Sequence, residues 1–497
     1  PPASGPPAGG GPRPSADSLR RGVPLHRLFA GCGRVLRTRP DTLTFAEQAQ
    51  LFDTSHRVDT FDFFISHVCS TPGAKKYLTL VMEQLGLLAF ATEAAVCSGI
   101  LVLQACCVEL PRIEAHFGFF DIGFECALSF WEFAGGSIAA WVVYACGHVL
   151  LRRRCCFLDF ASICQNDPEL KAAGIANIPA FVRASRQMVV LWDERYFTRM
   201  WCVYEIAVAQ SDANVPIRVL PTDVYVLLAL GQINVFVCCA FTIVLELWTL
   251  PLLAKMLARL LALVPAFALQ AKAGCTFANQ DARLQEQMER FDVRSAEITL
   301  ESDRTAITVS IEAMFDGSLD NFNTRVRTRL KYAAMRSLTG QRALIPYTGV
   351  LWQALPILPA VFSVWSTSMN FPLYFRVPTY ISGVTQLFCL SPVCVAAAME
   401  LGKRCATGKP ATGARANFVY LGIGLLVSSL YTVFMAISRP LPALVGLGRM
   451  RRLGVEAWCA VPMAVFVNGL ACVAAVWAFK LRVPAEDEVV ESSDDSA

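Results

Sequence analysis

Residues 187–210 read QMVVLWDERYFTRMWCVYEIAVAQ, and two periodicities meet inside them. The first six residues are a short unbroken apolar run, of the kind that suits a strand buried on both faces. From Met200 onward the apolar side chains recur at helical spacing, with a single acid, Glu205, among them. A strand feeding a helix is the repeating unit of a parallel sheet.

The same alternation extends outward. FDFFIS (61–66), CCFLDF (155–160) and PIRVLP (216–221) are further compact apolar runs, and PELKAAGIANIPAFVRAS (168–185) has helical spacing. A fifth strand is expected at 294–300, RSAEITL, followed by a helix over 303–314. Together these predict a doubly wound, flavodoxin-like parallel sheet, joined to a polytopic α-helical membrane region.

The membrane region follows from composition and block length. Of the 497 residues, 55% are hydrophobic and only 17% are charged, and the mean hydropathy is +0.45. A span needs about 20 consecutive apolar residues. Segments 85–107, 127–151, 344–366, 378–399, 417–437 and 458–480 meet that length, and 223–270 allows two helices broken at Pro251. About eight spans result.

The division is then 1–40 as a disordered Pro/Gly-rich N-terminus, 41–84 as the first strand and helix, and 85–151 as a transmembrane hairpin. Residues 152–222 are the α/β core, 223–270 a transmembrane or re-entrant hairpin, and 271–343 the last strand and helices. A four-helix membrane bundle over 344–480 and an acidic tail over 481–497 complete the chain. A sheet cannot pair across hydrocarbon, so each hairpin must contain an even number of spans. The basic triplet Arg152–Arg154 and the basic stretch 402–415 place the sheet and both termini in the cytosol. The loop 438–457, with four arginines, disagrees with that rule.

Nineteen cysteines show no zinc-type CxxC pairing and many lie in apolar runs, so reduced thiols and no metal site are expected. Cys155 and Cys156 follow the basic triplet, where palmitoylation competes with burial in a strand. His67 and Cys69 lack a third, orienting group and make no nucleophile pair. The net charge of +4 is thinly spread, which excludes nucleic acid as a partner class and leaves membrane lipid. Glu93, Glu132, Glu246, Lys255 and Arg259 fall in or near the first spans, where charge is expensive and often functional. Gly135-x-x-x-Ala139 and Gly424-x-x-x-Ser428 would let helices approach closely.

Three of these stretches share a family pattern. FDFFISH (61–67) resembles the first box of TIR (Toll/interleukin-1 receptor-like) domains, and FLDF (157–160) resembles their second strand. Residues 174–207, GIANIPAFVRASRQMVVLWDERYFTRMWCVYEIA, are similar to the family's long helix, third strand and Trp-Cys-x-x-Glu helix. The resemblance covers a quarter to a third of the chain. It departs from the family in two ways: the domain is interrupted by 85–151 and 223–270, and the loop 161–174 lacks a Gly-rich signal.

The resemblance implies signalling by self-association, with a homo-oligomer or another TIR-domain protein as partner. In TIR domains that cleave NAD it also implies a catalytic role for the glutamate at Glu205, with NAD as substrate rather than resident cofactor. Ser66, His67, Asp159 and Trp201 would line that crevice. Losing nicotinamide builds positive charge on the ribose, which a fixed carboxylate stabilises. The alternative for Glu205 is an ordinary first-turn acid favoured by the helix dipole. For Trp201 it is packing, and for Asp159 a turn or cap. A channel or transporter regulated by the domain, and a non-catalytic scaffold, are the rival functions.

Overall fold

The computed structural model describes residues 19–39, 42–119, 122–210, 215–298, 301–331, 347–406, 413–438 and 460–479. Eight strands occur among them: β1 (Arg21–Pro24), β2 (His56–Arg57), β3 (Phe63–His67), β4 (Ile113–Phe119), β5 (Ile122–Leu128), β6 (Cys155–Phe157), β7 (Met188–Trp192) and β8 (Ile217–Pro221). Six form one sheet in the order β2-β1-β6-β3-β7-β8. β4 and β5 form a separate antiparallel hairpin where the sequence suggested only a loop.

β3 is central and pairs in parallel with β6 on one side and β7 on the other. β1 runs antiparallel to both β6 and β2, so the sheet is mixed rather than wholly parallel. This corrects the expected disorder of 1–40 over its second half. Val23, Leu25, Leu28 and Phe29 are buried. A four-residue strand is enough to cover the edge of β6, which would otherwise present unpaired backbone.

Among the described residues of 294–300 no strand forms. Val293–Ser295 is a single 3-10 turn, capped by Asp292 accepting from the Arg294 N–H. One isolated bridge, Arg199 to Glu297, is all that joins this stretch to its neighbours in strand fashion. Residues 299 and 300 lie outside the described residues. The following helix, Glu301–Met314, does form.

The sheet belongs to a unit assembled from 1–77, 148–220 and 286–334. Its centre is aromatic and crosses segment boundaries. Phe157 stacks on Phe64 at 4.6 Å between centroids and meets Phe61 edge-on at 5.6 Å and Phe181 at 5.2 Å. All four rings are essentially sealed from solvent. Cys155 and Cys156 are buried in β6, the strand alternative to palmitoylation.

The second unit comprises 78–147, 221–285 and 335–497. Among the described residues, seven helices are long and apolar enough to cross a membrane: Gly73–Cys106, Trp131–Leu151, Thr222–Glu246, Leu253–Glu289, Phe375–Ala406, Ala414–Ser438 and Val461–Phe479. The pair Tyr347–Ala354 and Ile357–Asn370, bent by 55°, gives an eighth if it counts as one span. The break expected at Pro251 is present, between Glu246 and Leu252. Gly73–Cys106 is one helix of 34 residues. At 1.5 Å per residue it is about 51 Å long, well beyond a hydrocarbon core of about 30 Å. The loop 438–457 and the tail 481–497 fall almost wholly outside the described residues.

Small residues set the closest helix approaches in this unit. A Cβ on Gly274 would meet the Met399 carbonyl oxygen at 1.9 Å, and one on Gly402 would meet that of Ala271 at 1.9 Å. This reciprocal crossing was not flagged in the sequence. Gly424, which was, lies against the Val264 carbonyl. Such approaches let backbones touch where no hydrophobic effect drives association.

Candidate functional site

The carboxyl ends of β3, β6 and β7 gather the polar side chains of the first unit. Ser66 and His67 are the last residues of β3, and Asp159 opens the short helix Asp159–Ser162 after β6. Glu205 enters from Met200–Gln210, the helix after β7. All are held by a sheet whose strands are buried on both faces, so side chains at their ends have little freedom.

The Ser66 hydroxyl is fully buried and donates to Glu205 Oε2 at 2.5 Å. It also shares a hydrogen bond with the Tyr196 hydroxyl, from the turn after β7. Glu205 is 8% exposed, and burial pushes its carboxyl up to about 8. The Ser66 hydrogen bond opposes that rise, and the Asp159 charge adds to it. Burial also raises the Tyr196 phenol and the Cys202 thiol well above their ordinary values. In this closed arrangement Glu205 favours its neutral form at pH 7, tied directly to the Ser66 hydroxyl, which Tyr196 holds in turn.

His67 is buried, with Nε2 3.9 Å from Asp159 Oδ1. Burial drives the imidazole down to about 4, reinforced by Lys76 and opposed by Asp159 and a hydrogen bond to the Ile65 backbone. Its backbone carbonyl accepts from the Cys202 thiol at 3.6 Å. Asp159 is the first residue of its short helix, after the N-cap Leu158, and its carboxylate accepts from the Phe160 N–H at 2.8 Å. Thr71 is hydrogen-bonded to Asp193, so the loop after β3 is fastened to the loop after β7.

Ser66, His67, Asp159 and Glu205 are thus brought together. Trp201 is not: it is half-buried, and its ring contact is with Tyr204, 5.9 Å away. Tyr204 in turn shares a hydrogen bond with Ser310 at 3.0 Å. Packing is the role this geometry gives Trp201. One participant, Tyr196, was missed in the sequence, and Cys69 was weighed only as a nucleophile partner of His67 and set aside. Tyr196 lies in a polar run with no motif to mark it. Cys69 lies within 4.8 Å of His67 and Asp159, counted between ligand-type atoms. The histidine-x-cysteine pair at a strand end was the available signal.

The chain matches no family model, no curated protein and no solved structure.

The second unit has a buried polar cluster of its own. Gln104 donates to Glu132 at 2.6 Å, Ser129 donates to Glu132 at 2.7 Å, and the Ser129 N–H donates to Thr367 at 3.1 Å. Glu93 is fully buried, and neither carboxylate oxygen has a hydrogen-bond partner among the described residues. Glu246 is paired with Lys255 at 3.0 Å and with Arg259, so this one carboxylate serves two cations.

Proposed function

We propose that this chain is a multi-pass membrane protein whose first unit is a cytosolic TIR-like signalling domain. It works by self-association, with a second copy or another TIR-domain protein, and cleaves NAD to nicotinamide and ADP-ribose at Glu205. The observation that carries this reading is the convergence of Ser66, His67, Asp159 and Glu205 at the carboxyl ends of parallel strands. Open α/β sheets bind their ligands there. The order β6-β3-β7-β8, which is second-first-third-fourth among the strands of the family pattern, supports the flavodoxin-like assignment.

The lock on Glu205 gives the mechanism its order. A neutral, sealed acid cannot stabilise an oxocarbenium-like ribose, so the site works only once Glu205 parts from the Ser66 hydroxyl that Tyr196 holds. Contact with water then returns Glu205 toward its ordinary acidity, and the carboxylate faces the sugar. Self-association supplies the opening. Incubation of the detergent-purified protein with NAD tests the chemistry: nicotinamide is released, and a protein that releases none loses the enzymatic half of the proposal.

The arrangement in the membrane has its own test. Strands from two segments, on either side of 78–147, share one sheet, so residues 70 and 195 face the same compartment. N-glycosylation acceptor sites inserted at both positions stay unmodified in cells, while one inserted at 109 is modified. Modification at 195 but not at 70 would break the proposed topology.

Glu93 favours a second reading, in which the bundle conducts an ion. An unpartnered buried carboxylate among apolar helices is expensive and commonly marks a pathway. On that reading, liposomes holding the wild-type protein show cation or proton flux, and Glu93→Gln reduces it at least about tenfold. Flux equal in the two would discard it.

A further inference from the structure

We propose that His67, Cys69 and Asp159 form a binding site for a divalent transition-metal ion of borderline softness, with zinc the best chemical match. One ligand-type atom from each residue lies within 4.8 Å of the others, His67 being buried, Asp159 half-buried and Cys69 exposed. The independent pointer is His67 itself. It is 7% exposed, and its Nε2 has no hydrogen-bond partner among the described residues. Asp159 Oδ1 stands 3.9 Å from that nitrogen, too far for a hydrogen bond.

A buried imidazole nitrogen left bare is costly unless something takes its lone pair. The geometry around it is that of a ligand already oriented. The ring makes its hydrogen bond with the Ile65 backbone, and because Nε2 is the unpartnered atom, Nδ1 carries the proton. A metal-bound histidine is held in this way, with one nitrogen donating to a carbonyl and the other left for the ion. The Phe160 ring meets the imidazole edge-on at 5.8 Å and fixes its plane. The Phe160 N–H holds the Asp159 carboxylate at 2.8 Å.

One nitrogen, one sulfur and one oxygen donor select a borderline ion over magnesium or calcium, which take oxygen ligands. Bond lengths of about 2.0–2.3 Å in a tetrahedral site put ligands roughly 3.3–3.8 Å apart. Closing from 4.8 Å asks for about 1 Å of movement, which the exposed Cys69 side chain supplies by rotation. Three protein ligands leave the fourth position to water. On binding, the Cys69 S–H releases its proton to solvent and the thiolate sulfur bonds the ion. Thiolate and carboxylate then cancel the divalent charge, so Lys76, buried and coupled electrostatically to both, faces a neutral centre.

The site shares His67 and Asp159 with the proposed NAD crevice but does not depend on NAD cleavage, and its test reads metal alone. Full-length protein in detergent is stripped with a chelator and titrated with Zn2+ and with Co2+. One equivalent of Zn2+ binds, and Co2+ gives a thiolate charge-transfer absorption. Cys69→Ser removes that absorption and weakens Zn2+ at least tenfold, Asp159→Asn weakens Zn2+ likewise, and Cys32→Ser changes neither. Excess Mg2+ does not compete. Because Cys69 is exposed, its substitution leaves the thermal midpoint of the metal-free protein unchanged, which separates lost ligation from lost fold. Failure to retain Zn2+, Co2+ bound without the thiolate band, or Cys69→Ser binding as tightly as wild type would each overturn the site.

Discussion

Glu205→Gln abolishes nicotinamide release from the purified protein while leaving its fold in place. The amide keeps the shape of the neutral carboxyl that Ser66 holds at 2.5 Å, so packing survives, but it never becomes an anion. Losing a preorganised charge at the reacting centre costs about 10²-fold or more in rate. Equal turnover in the two proteins would remove Glu205 from the mechanism. The same substitution has a signature in stability. Burial raises the Glu205 carboxyl from an ordinary 4.5 to about 8, so between those values the folded state holds a proton that the unfolded state has released. Stability is therefore full below about pH 4.5 and declines as pH rises toward 8, by an amount on the order of 5 kcal/mol. The thermal midpoint of the wild type falls across that window, and that of Glu205→Gln does not. Activity runs the other way, rising as the carboxylate form gains population. Parallel midpoint curves in the two proteins would show that burial does not hold this proton.

Phe157→Ala disables the first unit, at a cost of about 3–5 kcal/mol. Phe157 belongs to the second chain segment, while the rings it meets, Phe61 and Phe64, belong to the first. Truncation opens a cavity at the seam between segments that chain connectivity does not hold together locally. The denaturant midpoint, followed by the emission of the buried Trp192, drops well below that of wild type. Phe45→Ala removes a ring that is 75% exposed and moves the midpoint by no more than about 0.5 kcal/mol equivalent. If the two substitutions had the same effect, the aromatic seam would not be what holds the segments together.

The strands that were legible beforehand, Phe63–His67, Met188–Trp192 and Ile217–Pro221, are continuous apolar runs with aromatic or β-branched residues and clear polar flanks. Arg21–Pro24 has neither property. Its partner β6 recruits it, and no local signal marks a strand whose stability comes from a neighbour's open edge. The expected strand at 294–300 differs in the opposite direction: at its described start Asp292 holds the backbone in a turn, accepting from the Arg294 N–H. At the site, motif and spacing exposed Ser66, Asp159 and Glu205. They could not show that Tyr196 would bond the Ser66 hydroxyl that holds the acid, because that depends on the turn after β7 meeting the end of β3. Trp201 shared the motif and still turned to Tyr204, since one helix cannot aim every motif residue at one crevice.

The central place of β3 has a consequence for how the chain is made. Phe63–His67 leaves the ribosome before either neighbour, and both of its hydrogen-bonding edges stay bare until Cys155–Phe157 and Met188–Trp192 follow. Bare edges of this kind attract aggregation and quality control. An odd number of crossings between residues 77 and 148 strands the neighbours across the lipid and leaves those edges uncapped for good. Correct threading is thereby a precondition for closing the sheet: both edges of β3 are paired only when Cys155–Phe157 and Met188–Trp192 emerge on its own side.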